Sequence, residues 1–193
     1  MSEKSPILLT ISGPSGVGKD TVTDIIIQKS DFRRIGTYTT RPMRAGEKEG
    51  DHHFFVTPEE FEKLDAKEKF EDHIVINGIH YAIATDKIRE ALEKKQNIIL
   101  VIQVHGVRMI RKHYPEAISA YLLPPSEKAH EERFKVRGDS TTDIKVRMKE
   151  DGPLKDTNEF DFVLVNKTGK QEETARKILE FISKQSGISF ETK

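Results

Sequence analysis

Nine consecutive residues constrain this chain more than any others: Gly13-Pro14-Ser15-Gly16-Val17-Gly18-Lys19-Asp20-Thr21. An apolar run, Ile7-Leu8-Leu9-Thr10-Ile11, precedes them and reads as a buried strand. The run Thr21-Val22-Thr23-Asp24-Ile25-Ile26-Ile27 follows and can start a helix. A glycine-rich turn between a strand and a helix aims successive backbone N–H groups at one point, where the helix N-terminus adds partial positive charge. Lys19 adds a full charge that can reach the outer phosphates of a nucleoside triphosphate. These residues predict a phosphate cradle, with Gly13, Ser15, Gly16, Gly18, Lys19, Asp20 and Thr21 as its nucleotide-binding residues.

The cradle departs from the usual pattern at one place. A Ser or Thr normally follows the lysine and touches magnesium. Here Asp20 follows it, and Thr21 comes one place later. A carboxylate beside a triphosphate repels it unless a metal lies between, so Asp20 is a candidate Mg²⁺ ligand. The other reading of Asp20 is an acidic residue favoured in a first helical turn.

Composition narrows the choice of partner. The 193 residues balance 32 basic against 32 acidic side chains, so no global field draws the chain to nucleic acid or to a membrane. Small-molecule nucleotides are the expected partners, and the chain is expected to be a monomer or a homodimer. Cysteine is absent, which excludes a disulfide framework and thiolate zinc sites. The sequence shows neither an apolar run of membrane-span length nor a secretory leader, and a cytoplasmic location is expected.

Strand-like and helical stretches alternate. Buried strands are expected at 98–102, 117–123 and 162–165, and helices at about 87–95, 105–112, 127–136, 142–155 and 171–185, with caps at Asp86 and Ser126. Continuous apolar strands separated by helices argue for an α/β fold, a parallel sheet covered by helices on both faces. Ligands bind such folds at the carboxyl ends of the strands, where the cradle lies. Residues 34–84 break the rhythm. Short strands at Thr37–Thr40 and His53–Val56, a Thr57-Pro58-Glu59-Glu60 capping box and an Asn77-Gly78 hairpin predict a small mixed α+β insertion able to close over a second substrate.

Arg41-Pro42-Met43-Arg44-Ala45-Gly46-Glu47 stands at the mouth of that insertion. Two arginines three apart can grip one phosphate in a fork, and Glu47 can orient one of them. A solvated loop of internal ion pairs is the other reading. A third basic cluster runs from Arg133 to Arg137 and on to Arg147. Arg137 and Arg147, on either side of a flexible turn, can swing over a triphosphate as a lid at 137–147, and positive charge on the transferring group is the main catalytic resource in phosphoryl transfer.

With these segments in view, the chain resembles the guanylate kinases over about residues 7–185. The resemblance rests on G-P-S-G-V-G-K, on T-T-R-P-M-R-A-G-E-K-E-G, on the Arg137-Gly138 lid and on Val165-Asn166. It implies a P-loop kinase fold in one domain spanning 1–193, and transfer of the γ-phosphate of ATP to GMP with Mg²⁺. It implies that Arg41, Arg44 and Tyr81 bind the GMP phosphate, that Thr37 contacts guanine and that Asp72 reads its N–H donors. It assigns Lys19, Arg137 and Arg147 to the transferring phosphates and Asn166 to the adenine side. His53 stands where the family has a phosphate-binding tyrosine. Asp72 is shorter than the family's glutamate, Ala82-Ile83 replaces a Gly-Ser pair, and Val101 and Gln103 replace two aspartates. These departures keep two alternatives open: a kinase of the same fold acting on another small acceptor such as a ribose phosphate, and a catalytically inactive guanylate-kinase-like binding module.

Overall fold

A computed structural model describes residues 5–44, 46–70, 73–76, 78–137, 157–188 and 190. These residues form nine strands and six helices in two compact units. The first unit comprises Leu9–Asp31 and Val101–Lys193, and the second Ser5–Leu8 and Phe32–Leu100.

In the first unit, β1 (Leu8–Ser12) runs parallel to β8 (Ile118–Leu123), and β8 parallel to β9 (Phe162–Val165). All five residues of β1 are buried, so no polar alternation marks this strand. Helix α1 (Lys19–Gln28) follows the glycine-rich turn and packs on α6 (Gln171–Ser186). Ile26 of α1 and Ala175, Ile178 and Ile182 of α6 are fully buried, the spacing expected of an inward helix stripe. Helices α4 (Val104–His113) and α5 (Glu127–Arg137) complete the described part of this unit. Ser126 caps α5 as expected, accepting from the Ala129 N–H at 3.1 Å. The helix expected at 142–155 lies outside the described residues.

The second unit carries a parallel pair, β2 (Arg33–Arg34) with β7 (Ile98–Val101), and a four-stranded sheet. Its order is β4 (His53–Phe55), β3 (Thr37–Thr39), β6 (Ile79–Ile83), β5 (His73–Ile76). The β5–β6 pair is antiparallel and closes with Ile76 opposite Ile79, as the Asn-Gly signal requires. Gly78 takes the positive φ, +77°, that a tight primed turn demands. The β3–β4 pair is parallel, with Thr37 opposite His53.

Helix α2 (Pro58–Asp65) opens with the complete capping box: Glu60 N–H donates to the Thr57 hydroxyl at 3.2 Å, and Thr57 N–H donates to the Glu60 carboxylate at 2.8 Å. Phe61 of α2 joins Tyr38, Phe70, Ala82 and Ala84 in the core of this unit, each phenyl contributing about 2 kcal/mol by burial. Helix α3 (Thr85–Glu93) corrects one expectation. Its N-cap is Ala84 rather than Asp86, and no side chain caps it. Asp86 sits in the first turn, where it accepts from the Tyr38 hydroxyl and pairs with Lys69 at 3.7 Å. Burial first, and Asp86 next, push the Tyr38 phenol up to about 12.

Among the described residues, no helix is long and apolar enough to cross a membrane. Replacing Thr57 with Ala removes one half of the α2 capping box and should cost about 1 kcal/mol of stability, read as a lower urea midpoint at unchanged slope.

Candidate active site

The cradle is built by glycines at positions where other residues do not fit. Gly13 has φ +142°, and a Cβ there would lie 2.4 Å from the Leu122 carbonyl oxygen of β8. Gly18 has φ +95° and forms the N-cap of α1, and a Cβ there would meet Asn166 Nδ2 at 2.8 Å. Helix α1 therefore starts at Lys19, two residues earlier than the sequence pattern suggested, and Asp20 and Thr21 are exposed in its first turn. Lys19 Nζ donates to the Gly13 and Pro14 carbonyls at 2.8 and 2.9 Å. Ser15 is half-buried within the loop.

Three residues of α5 hold this loop from behind, and sequence reasoning gave none of them a role. His130 donates its Nε2–H to the Ser15 carbonyl. Arg133 donates to the Val17 carbonyl at 2.7 Å and to the Asn166 carbonyl at 2.6 Å. Phe134, fully buried, packs its ring on Gly16. Positions 130, 133 and 134 share one helix face, a spacing visible in the sequence. Asn166 is also a support. It is fully buried, its Nδ2 donates to the Val17 carbonyl at 2.8 Å, and its Oδ1 accepts from Thr174 Oγ1 at 3.0 Å.

The second unit brings together Thr37, Arg41, Glu47, His53 and Tyr81. Arg41 is only 8% exposed, which is costly for a cation unless it is paired. Glu47 supplies a bidentate partner, Nη1 to Oε2 at 2.9 Å and Nη2 to Oε1 at 2.8 Å. The guanidinium also donates to the Pro42 carbonyl and lies 5.3 Å from the Phe55 ring centroid. The Arg41 hydrogen bonds pull the Glu47 carboxyl down to about 2, with the Arg44 N–H adding to the effect at 2.7 Å. Glu47 likewise raises Arg41 above its ordinary value. Arg44 is thus tied to the clamp through its backbone, while the residue itself is exposed.

His53 Nδ1 lies 2.8 Å from Thr37 Oγ1, and its ring stands edge-on to Phe55 and Tyr81 at 5.8 and 6.2 Å. Burial first, and the Arg41 charge next, lower its pKa to about 4. Asp72 and Arg147 lie outside the described residues, as does the lid beyond Arg137. Arg137 is the last residue of α5, with its side chain outside the description. Among the described residues no group of three His, Cys, Asp or Glu side chains could hold a metal.

The guanylate kinase family model matches residues 5–185. The chain belongs to the guanylate kinase family. A guanylate kinase from Photobacterium profundum is 37% identical over 164 residues, covering 82% of this chain and 79% of that protein. A guanylate kinase from Prochlorococcus marinus (strain MIT 9312) is 33% identical over 178 residues, covering 91% and 96%. The crystal structure of a guanylate kinase from Anaplasma phagocytophilum overlays with a TM-score of 0.75 at 24% identity, covering 98% of this chain and 90% of that one. The fold of this family member is accordingly the α/β fold of a P-loop kinase, a parallel sheet flanked by helices, as the strand pattern implied.

The His53 environment has a measurable pH signature. The unfolded state takes up a proton near the ordinary value of 6.5, and the folded state only near 4. Between those values the unfolded state binds more protons, so stability should rise with pH from about 4 to about 6.5 and level off above. Glu47 adds a further loss below its ordinary value of 4.5, because its folded-state pKa is depressed. Denaturation midpoints across this range, with His53→Phe flattening the upper part of the slope, are the check.

Proposed function

We propose that this chain transfers the γ-phosphate of ATP to GMP, giving ADP and GDP. The family match across residues 5–185 carries the reading, and the chemistry of both sites agrees with it. Charge spread over the transferring phosphoryl group calls for positioned cations and N–H donors rather than covalent chemistry. The chain offers both: a loop whose geometry only glycines permit, with Lys19 at its end, and a buried guanidinium held in a fork by Glu47.

In this reading Gly13, Ser15, Gly16, Gly18, Lys19 and Thr21 bind the ATP phosphates, with Asn166 acting behind the loop as a support. Lys19 exchanges its two loop carbonyls for phosphate oxygens when ATP enters. Arg41 and Arg44 hold the GMP phosphate with Tyr81. Arg41 is the stronger of the two, because little water competes for it. Thr37 and Asp72 face the guanine. An oxygen of the GMP phosphate attacks the γ-phosphorus, the bond to the β–γ bridging oxygen breaks, and ADP leaves with that electron pair. Arg137 and Arg147 serve as lid cations over the transferring group.

Mg²⁺, when bound with the triphosphate, would supply positive charge against its phosphates. Asp20, exposed directly after the lysine, is the residue that would hold it. Mg²⁺ needs only one or two protein carboxylates beside phosphate oxygens and waters, so a single carboxylate at Asp20 is enough for this role. The proposed organisation is a single P-loop kinase domain with an acceptor insertion at 34–84 and a lid at 137–147, acting on cytoplasmic nucleotide pools as a monomer or a homodimer.

A coupled assay of ADP formation across GMP, dGMP, AMP, UMP, CMP and ribose phosphates tests the assignment, and GMP should give the highest kcat/KM. Activity on ribose phosphate without activity on GMP overturns it. Lys19→Ala should keep its thermal transition and lose at least about a hundredfold in kcat. Arg41→Ala should weaken GMP binding and turnover while leaving ATP binding in place, and Arg41→Lys should rescue poorly, since a point charge cannot reproduce a two-pronged contact. Titration of each variant with ATP and with GMP separately distinguishes the two substrates.

A further inference from the structure

The peptide that joins Ser15 to Gly16 lies in the middle of the glycine-rich turn, and the backbone alone does not secure its direction. Among the described residues every peptide is trans, and in a trans peptide the carbonyl and the following N–H point opposite ways. The Ser15 carbonyl therefore sets where the Gly16 N–H points. Gly16 has φ +73°, and glycine takes either sign of φ about equally well. A half-turn of this peptide plane would leave Gly16 at a negative φ that is just as open to it, and would aim the carbonyl where the amide had been. An oxygen turned toward a triphosphate repels it.

Helix α5 supplies a contact that opposes this half-turn. His130, only 5% exposed, brings Nε2 into hydrogen-bonding contact with the Ser15 carbonyl. A carbonyl oxygen only accepts, so the proton of this contact lies on Nε2. The ring is held in its turn: its centroid lies 4.8 Å from that of Phe134, one helical turn further on, and Phe134 rests on Gly16 itself. The Val17–Gly18 peptide faces the same problem, with Gly18 at φ +95°, and its carbonyl takes Arg133 and Asn166 from two parts of the chain.

We propose that His130 is a positioning residue for the phosphate donor: it latches the Ser15–Gly16 peptide with the carbonyl toward α5 and the N–H toward the triphosphate. The inference rests on the reading of residues 13–19 as the ATP-phosphate cradle. Without the latch the empty loop divides between two peptide orientations, and ATP binds only the competent one, so its apparent affinity falls by the competent fraction. A donor on the carbonyl also polarises the peptide and strengthens its N–H as a donor. GMP, held in the proposed function by Arg41 and Arg44, makes no use of this peptide.

Dissociation constants of ATP and ADP, measured by calorimetry on the full chain, test the proposal together with KM for GMP at saturating ATP. His130→Gln and His130→Asn carry the same amide at two lengths. The Gln amide nitrogen falls near the Nε2 position and should keep ATP binding close to that of the unmodified protein. The Asn amide falls near the Nδ1 position, short of the carbonyl. His130→Asn should therefore weaken ATP and ADP about tenfold, as expected for one lost hydrogen bond, and leave KM for GMP unchanged. In nitrogen–proton correlation spectra without nucleotide, the Gly16 amide should shift or broaden in His130→Asn and hold its position in His130→Gln. Unchanged ATP binding in His130→Asn overturns the proposal. Equal losses in His130→Asn and His130→Gln, or weakening of ATP and GMP alike, overturn it as well. If the unmodified protein binds ATP but does not phosphorylate GMP, the acceptor assignment fails and the latch stands or falls on the ATP measurements. If it binds no ATP, the cradle reading and this inference fail together.

Discussion

A loop that turns its amides toward a ligand must turn its carbonyls the other way, and each of those needs a donor. The rest of the first unit is arranged around that requirement. The Gly13 and Pro14 carbonyls take Lys19, and Pro14 also takes the Val17 N–H. The Ser15 carbonyl takes His130, and the Val17 carbonyl takes both Arg133 and Asn166. Helix α5 and the end of β9 are thus the rear wall of the cradle. Their own placement follows from apolar burial: Phe134 has no exposure and rests on Gly16, and β9 is pinned to β8 along four register pairs.

The second unit solves a different problem, that of keeping a cation out of water and still useful. The Arg41–Glu47 fork offsets the desolvation of Arg41, and Phe55 covers one face of the guanidinium. A pair of this kind adds little to stability by itself. It fixes the direction of the guanidinium, which is what recognition of a dianionic group requires.

Much of this was legible in the sequence because local rules decide it. The glycine cradle, the Thr57 capping box and the Asn77-Gly78 hairpin are each set by a few adjacent residues, and the structure repeats them. What was not legible depends on partners far along the chain. Asp86 reads as a helix cap by position, yet Tyr38, forty-eight residues earlier, and Lys69 claim its carboxylate. The two-residue β2 at Arg33–Arg34 has no apolar signature and exists only because β7 offers it an edge. The His130, Arg133 and Phe134 face carried a helical spacing but nothing that named its target. Thr37 and His53 were each singled out, and only the register of β3 on β4 makes them one unit.

That register has a consequence for the loop between the two strands. Parallel neighbours cannot be joined by a tight turn and need a crossover of about a dozen residues, usually a helix. Here the crossover is segment 40–52, the same stretch that carries Arg41, Arg44 and Glu47. The connection is therefore both a tether and a recognition element, and its length is not free to drift as surface loops ordinarily are. Adding or deleting one residue there would pull β4 against β3 by one step, and a one-step slip turns every side chain of a strand to the opposite face. His53 would leave Thr37 at the moment the arginines were displaced. A change of length in this connection would therefore disturb the Arg41–Glu47 clamp and the Thr37–His53 pairing together.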